Sequence, residues 1–235
     1  MSKIVEVNEY REVVYDERQW IILSRKREVA RCLMEVLRDI SVNVIVHGSI
    51  ARGDVDENSD VDIVIPSLIP PFKLEILLEN KGIIVYLRRI IQATPTMIPK
   101  VYYYLDPTEQ IAISYPLAKL NRREIEFYRF SGVLDIDKLA RGERVAGVDK
   151  RLMFIEPTSY GHVEYSVVGC EVEAARKLNV SPSIIEERIS ILTRRNKIGR
   201  TGLFISYNVP HNEQIEEAIE KLARRSKVFR RMITV

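Results

Sequence analysis

Sulfur and imidazole are scarce in this chain, which holds two cysteines and three histidines in 235 residues. Cys32 and Cys170 form no paired-cysteine motif, and His47, His162 and His211 are scattered, so spacing offers neither a disulfide framework nor a zinc site. Both thiols are expected to be reduced and structural, Cys32 within an apolar helical stripe. Long apolar runs are missing as well. None approaches the roughly 18 residues that span a bilayer, and the charged stretch from Met1 to Arg18 lacks a signal-peptide core. No membrane partner is expected, and the chain reads as cytoplasmic. With 46% hydrophobic and 29% charged residues it is not a disordered chain, and its length suits two domains with separate cores.

Charge is not evenly spread. Residues 1–175 hold 23 basic and 27 acidic side chains, whereas residues 176–235 hold 13 and 6, so a net −4 is followed by a net +7. A basic end of this kind meets polyanions or forms a solvated helix face.

The most informative stretch runs from His47 to Ile65. Val42, Val44, Ile45 and Val46 are a β-branched run expected to be a buried strand, and Gly48-Ser49 ends it. Without a Cβ, Gly48 lets the backbone turn sharply, and Ser49 offers a hydroxyl and an amide at the mouth of the turn. If Ile50 to Arg52 make a helical turn, the Gly48 and Ser49 amides face an anion and Arg52 adds a fixed cation. In the next strand, near Asp60 to Ile65, alternation puts Val61, Ile63 and Ile65 on one face and Asp60, Asp62 and Val64 on the other. Two carboxylates on one face repel each other, yet they are what a hard divalent cation with oxygen ligands requires. Magnesium or manganese is the expected ion.

At these residues the sequence resembles the DNA polymerase beta-like nucleotidyltransferase superfamily, whose signature is a Gly-Ser turn, a spacer and Asp-x-Asp on a strand. Gly48, Ser49, Ala51, Arg52, Gly53, Ser59, Asp60 and Asp62 match the longer form, with Ile50 to Ser59 as spacer. The resemblance is to archaeal-type members with a C-terminal winged-helix-like domain. It implies catalytic Asp60 and Asp62 holding the metal, and Gly48, Ser49, Arg52 and Ser59 gripping a nucleoside triphosphate. The implied reaction transfers a nucleoside monophosphate to an acceptor. The competing reading is a catalytically weak or inactive protein of this fold, acting as a nucleic-acid-binding or regulatory module. A third has the nucleotide placed on a protein or small molecule.

Relatives usually carry a third metal-binding carboxylate on the second arm of a following hairpin. Val101 to Leu105 and Ile111 to Leu117 read as that hairpin about the turn Asp106-Pro107-Thr108-Glu109, and the second arm has no carboxylate. Three readings stay open: Glu126, in a strand-like run from Glu124 to Phe130, supplies it and is favoured; Asp106 or Glu109 does; or it is missing.

Elsewhere, a helix is expected from Ser24 as cap, with Val29, Cys32, Leu33, Val36, Leu37 and Ile40 as its apolar stripe. Pro71 precedes a short helix to Leu78, Ile83 to Leu87 reads as a strand, and Val163 to Val168 as one arm of a hairpin with His162 and Glu164 on an exposed face. Near the end, Glu171 to Leu178, a turn, Pro182 to Arg195 and a strand from Leu203 to Val209 resemble a winged helix-turn-helix. Arg194, Arg195, Lys197 and Arg200 suit phosphate contacts with nucleic acid, but Glu186 and Glu187 on the same helix oppose a polyanion, so an interaction or dimerisation role stays equally open. A single amphipathic helix over Glu213 to Met232 packs there or pairs subunits into a homo-oligomer. The expected whole is an α+β chain, with a mixed-sheet nucleotidyltransferase domain over residues 1–135 and a linker plus smaller winged-helix-like α+β domain over 136–235.

Overall fold

The computed structural model describes residues 4, 10–199 and 201–234. Of the residues singled out above, Arg200 lies outside this set. Strand β1 (Arg11–Val14) and the long helix α1 (Glu17–Leu37) come first, followed by β2 (Ile45–His47), the single turn α2 (Ser49–Arg52) and β3 (Val61–Val64). Helix α3 (Pro71–Asn80) leads to β4 (Leu87–Gln92), β5 (Lys100–Tyr104) and β6 (Ile111–Pro116). Then come α4 (Arg122–Ser131), β7 (Val133–Asp135), α5 (Ile136–Ala140), β8 (Gly147–Val148), β9 (Met153–Thr158) and β10 (Gly161–Ser166). The described chain ends with α6 (Glu171–Leu178), α7 (Pro182–Ile198), β11 (Ile205–Val209), α8 (Ile215–Arg225) and α9 (Lys227–Ile233). The fold is α+β.

Two compact units are present, and the chain passes between them repeatedly. The first comprises Met1–Arg31, Val46–Ser59 and Arg122–Thr201; the second comprises Cys32–Ile45, Asp60–Asn121 and Gly202–Val235. The break expected at residues 135 and 136 therefore falls inside a continuous segment of the first unit.

In the first unit, β1, β10, β9 and β8 form a four-stranded antiparallel sheet. Phe130, Leu152, Phe154, Val167, Ala174 and Ile185 belong to one buried cluster, so the α6 and α7 pair is anchored by apolar packing. Helix α1 begins before Ser24, because the Asp16 carboxylate accepts the Gln19 amide at 2.7 Å and caps the helix there. Its buried face is Leu23, Ala30, Met34 and Leu37, which leaves Val29 and Cys32 exposed, a rotation from the expected stripe. The strand expected over Glu124 to Phe130 is helix α4, consistent with its Arg122 to Glu126 pair one helical turn apart.

His162 and Glu164 on β10 are buried, not exposed. His162 Nδ1 lies 2.7 Å from the Tyr15 hydroxyl, and Arg151 donates to Glu164 at 2.6 Å. Burial holds the His162 imidazole below its ordinary range, against the pull of Asp54 and Glu164. The unfolded chain therefore takes up this proton first as pH falls. Stability should be full above about pH 6.5 and decline as pH drops from there toward the folded value. Denaturation midpoints at pH 7.5 and 5.5 check this, and the difference should shrink in His162→Asn.

The second unit carries strands in the order β11, β4, β5, β6, β3. β3 runs parallel to β6 and the other pairs are antiparallel, giving a mixed sheet. The β5 and β6 hairpin is the expected one. Its turn is tied by Asp106, which accepts the amides of Thr108 at 3.0 Å and Ile111 at 2.6 Å. β4 starts at Leu87 and not Ile83, since Ile84 and Tyr86 face solvent while Arg88 and Arg89 find Glu75 and Glu109 at 2.7 and 2.9 Å. Strand β11, expected as a wing, instead extends this sheet by pairing antiparallel with β4. The last helix is two helices. The chain breaks at Ser226, whose hydroxyl accepts the Phe229 amide and starts α9.

Candidate nucleotide and metal site

The Gly-Ser turn belongs to the first unit. At the end of β2, Gly48 adopts φ 75° and ψ −145°, a conformation closed to most side chains. A Cβ there would meet nothing within 4 Å, so the backbone and not crowding requires glycine, and the space before the turn is open. The Gly48 amide donates to the Gly132 carbonyl at 3.0 Å, and its carbonyl accepts the Ala51 and Arg52 amides. The Gly48 amide is thus committed to the turn, contrary to the expectation that it faces an anion. Half-buried Ser49 stands at the mouth.

Arg52 has a different place from the expected phosphate grip. It is buried, with Nε and a terminal nitrogen donating to both Asp54 oxygens at 2.9 and 2.8 Å, and its other terminal nitrogen donating to the Ser131 carbonyl at 2.7 Å. A side chain on Gly132 would come within 2.9 Å of the Arg52 stem. Arg52 therefore ties the segment after the Gly-Ser turn to the end of α4. Ser59 is likewise a loop-forming residue: its hydroxyl accepts the Asp56 amide at 2.9 Å, and Lys26 donates to its carbonyl at 2.7 Å. With Arg18 paired to Glu57, helix α1 fixes the acidic spacer that delivers Asp60.

The Asp-x-Asp pair opens the second segment of the second unit. Val61 and Ile63 of β3 are buried, while Asp60, just before the strand, is exposed and Asp62 within it is half-buried, so both carboxylates are accessible although Val64 beyond them is buried. Two oxygen donors of this kind fit a hard divalent cation that completes its shell with phosphate and water. Across the sheet, Asp62 is level with Ala112 of β6, and Ala112 with Tyr104 of β5. Tyr104 lies close enough to feel the aspartate: burial pushes its phenol up, Arg89 over its ring opposes this, and Glu109 and Asp62 add to it.

The position on the hairpin arm beside Asp62 is thus a methyl group, and the other carboxylates considered are engaged elsewhere. Glu109 takes a two-point pair from Arg89, both contacts at 2.9 Å. Asp106 is held below the usual carboxylate range although burial opposes it, through bonds from Thr108 and the turn amides. Buried Glu126 accepts from the Ser181 hydroxyl and from Arg122 at 2.8 Å, and these bonds, Ser181 first, keep it ionised to lower pH. Among the described residues no group of three or more His, Cys, Asp or Glu is assembled for a metal. Glu126→Ala should therefore act on stability by removing the bonds from Ser181 and Arg122, at about 1 kcal/mol, since the Ser181 hydroxyl can still pair with Ser183 at 3.0 Å. A thermal midpoint lowered by several degrees with unchanged magnesium affinity is the expected result; weakened metal binding would return Glu126 to the ligand set.

Arg194, Arg195 and Lys197 are exposed on the last turns of α7. Sequence reasoning missed Gly132 and Arg188. Gly132 closes the Gly-Ser turn, and Arg188 of α7 lies with its guanidinium 5.0 Å from the Phe127 ring, which in turn meets His47 at 6.3 Å. A glycine following a helix was the available signal for the first; nothing local marks the second.

Residues 27–129 match the model of the nucleotidyltransferase domain family. No curated protein matches the chain. Among solved structures it is similar to a cytoplasmic RNA terminal U-transferase, at 20% identity and a TM-score of 0.32. That similarity covers 50% of this chain and 34% of the other, so it spans about a third of that protein's length. Among the described residues no helix is long and apolar enough to cross a membrane.

Proposed function

We propose, from the nucleotidyltransferase-domain match over residues 27–129 and the carboxylates Asp60 and Asp62 at the start of β3, that this protein transfers a nucleoside monophosphate from a nucleoside triphosphate to an acceptor. The single observation that supports this reading is the accessibility of Asp60, just before β3, and of Asp62 within it, between buried Val61 and Ile63. Asp60 and Asp62 hold magnesium or manganese, which when bound offsets charge on the phosphates and eases ionisation of the acceptor hydroxyl. Ser49 contacts the triphosphate. The acceptor oxygen then attacks the α-phosphorus in line, and pyrophosphate leaves. Arg52 and Ser59 serve indirectly, by fixing the turn and the spacer.

A nucleic-acid acceptor suits the exposed cations Arg194, Arg195 and Lys197, with Arg200 in the same sequence cluster. A second reading is favoured by Ala112 standing beside Asp62: a protein that binds nucleotide or nucleic acid without turnover. Incubation with α-labelled nucleoside triphosphates and magnesium, with RNA, DNA and the protein itself as acceptors and Asp60→Ala as control, separates them. Label transfer lost in Asp60→Ala supports transfer. Steeply salt-dependent binding with no label moved from any nucleotide supports the second reading.

A further inference from the structure

Among the described residues, Arg188 of α7 is a half-buried cation with no anionic partner. Its Nε is buried without a hydrogen-bond partner, and among the described residues no carboxylate lies within ion-pair distance of it. Glu187, beside it in sequence, is taken by Arg123. Arg27 and Arg144 also have no carboxylate partner, but they donate to the carbonyls of Gly142, Glu143, Gly161 and Thr158. Among the described residues Arg188 makes no such bond. It rests on the Phe127 ring at 5.0 Å, and Phe127 is in edge contact with His47, the residue before Gly48. Burial, and next the like charge of Arg195 two turns along α7, lower the pKa of its guanidinium. Glu187 opposes this only in part, and a half-buried cation with a like charge near it is costly unless an anion completes the site.

We propose that Arg188 binds the pyrophosphoryl end of a nucleoside triphosphate, the cationic role that Arg52 is too deeply committed to fill. The inference rests on the nucleotide reading for the identity of the natural ligand. The planar guanidinium offers its free donors to phosphate oxygens while Phe127 supports one face, and Arg195 adds charge from the same side of the helix. Released pyrophosphate occupies the same place.

Inorganic pyrophosphate is the probe, added to the full-length protein without divalent metal, with binding read by calorimetry and thermal midpoint. Wild type should bind and be stabilised. Arg188→Met should weaken pyrophosphate at least about tenfold, the loss of a charge-assisted bidentate contact. It should also raise the midpoint of the ligand-free protein, because an uncompensated charge is removed. A purely structural arginine would lower it. Arg188→Lys, which keeps the charge, should fold and bind with intermediate affinity. Wild-type affinity in either variant, no binding by wild type, or protection by a short oligonucleotide but not by pyrophosphate would overturn the assignment. Because neither metal nor acceptor is present, this outcome is independent of turnover: activity retained in Asp62→Asn would defeat the transfer reading and leave the pyrophosphate curves to stand or fall alone.

Discussion

Arg52→Met should be the most destabilising single change in the motif, costing about 3–5 kcal/mol, the usual effect of stripping one partner from a buried ion pair. Asp54 would keep its charge with only 11% of its side chain exposed, and the Ser131 carbonyl would lose a donor at 2.7 Å. For a chain of this size that corresponds to a thermal midpoint lowered by roughly 10 °C. Arg52→Lys should recover little. One ammonium cannot match both Asp54 oxygens in a two-point fork and also reach the Ser131 carbonyl. Thermal unfolding of both variants checks the stability claim. At a temperature where Arg52→Lys is folded, its nucleotide affinity should equal that of wild type; a specific loss of affinity in a stable Arg52→Lys would return this residue to the phosphate grip.

Asp62→Asn should lower label transfer about a thousandfold while leaving the protein folded, several kcal/mol of transition-state stabilisation being what a metal contributes to phosphoryl chemistry. The amide keeps the shape of the carboxylate but supplies no negative charge to a hard cation. Its effect on stability should be neutral or slightly favourable, since one of two neighbouring like charges is removed. Turnover rates with magnesium, measured beside thermal midpoints, distinguish this from a folding defect. Retained turnover would contradict the role given to Asp62.

The parts legible in the sequence are those written in neighbouring residues. Strand alternation around Val61 and Ile63 is local, as is the Asp106 turn that joins β5 to β6, and both were readable from composition and spacing. The structural ties of Arg52 are not legible in sequence because its carbonyl acceptors, on Ser131 and Val148, lie 79 and 96 residues away, and no local pattern announces them. Strand β11 reads as a wing in sequence for the same reason: its partner β4 is far back in the chain, so tertiary pairing decides its role. The run from Glu124 to Phe130 reads as strand-like in sequence, which puts Glu126 in the metal set, but it folds as helix α4. The interleaving of the two units could not be read at all, because it depends on contacts among segments that the sequence separates.

Since the acceptor is the least defined part of the reaction, the most direct test of the central claim avoids it. Manganese has a paramagnetic signal in free solution that is quenched when the ion is bound, and it prefers the same oxygen donors as magnesium. Titration of the protein with manganese and a nucleoside triphosphate should show a bound ion whose affinity requires both Asp60 and Asp62, with Asp60→Asn and Asp62→Asn together restoring the signal to that of manganese and nucleotide alone. Equal quenching by wild type and the double variant would show that the carboxylate pair at the start of β3 is not the metal site.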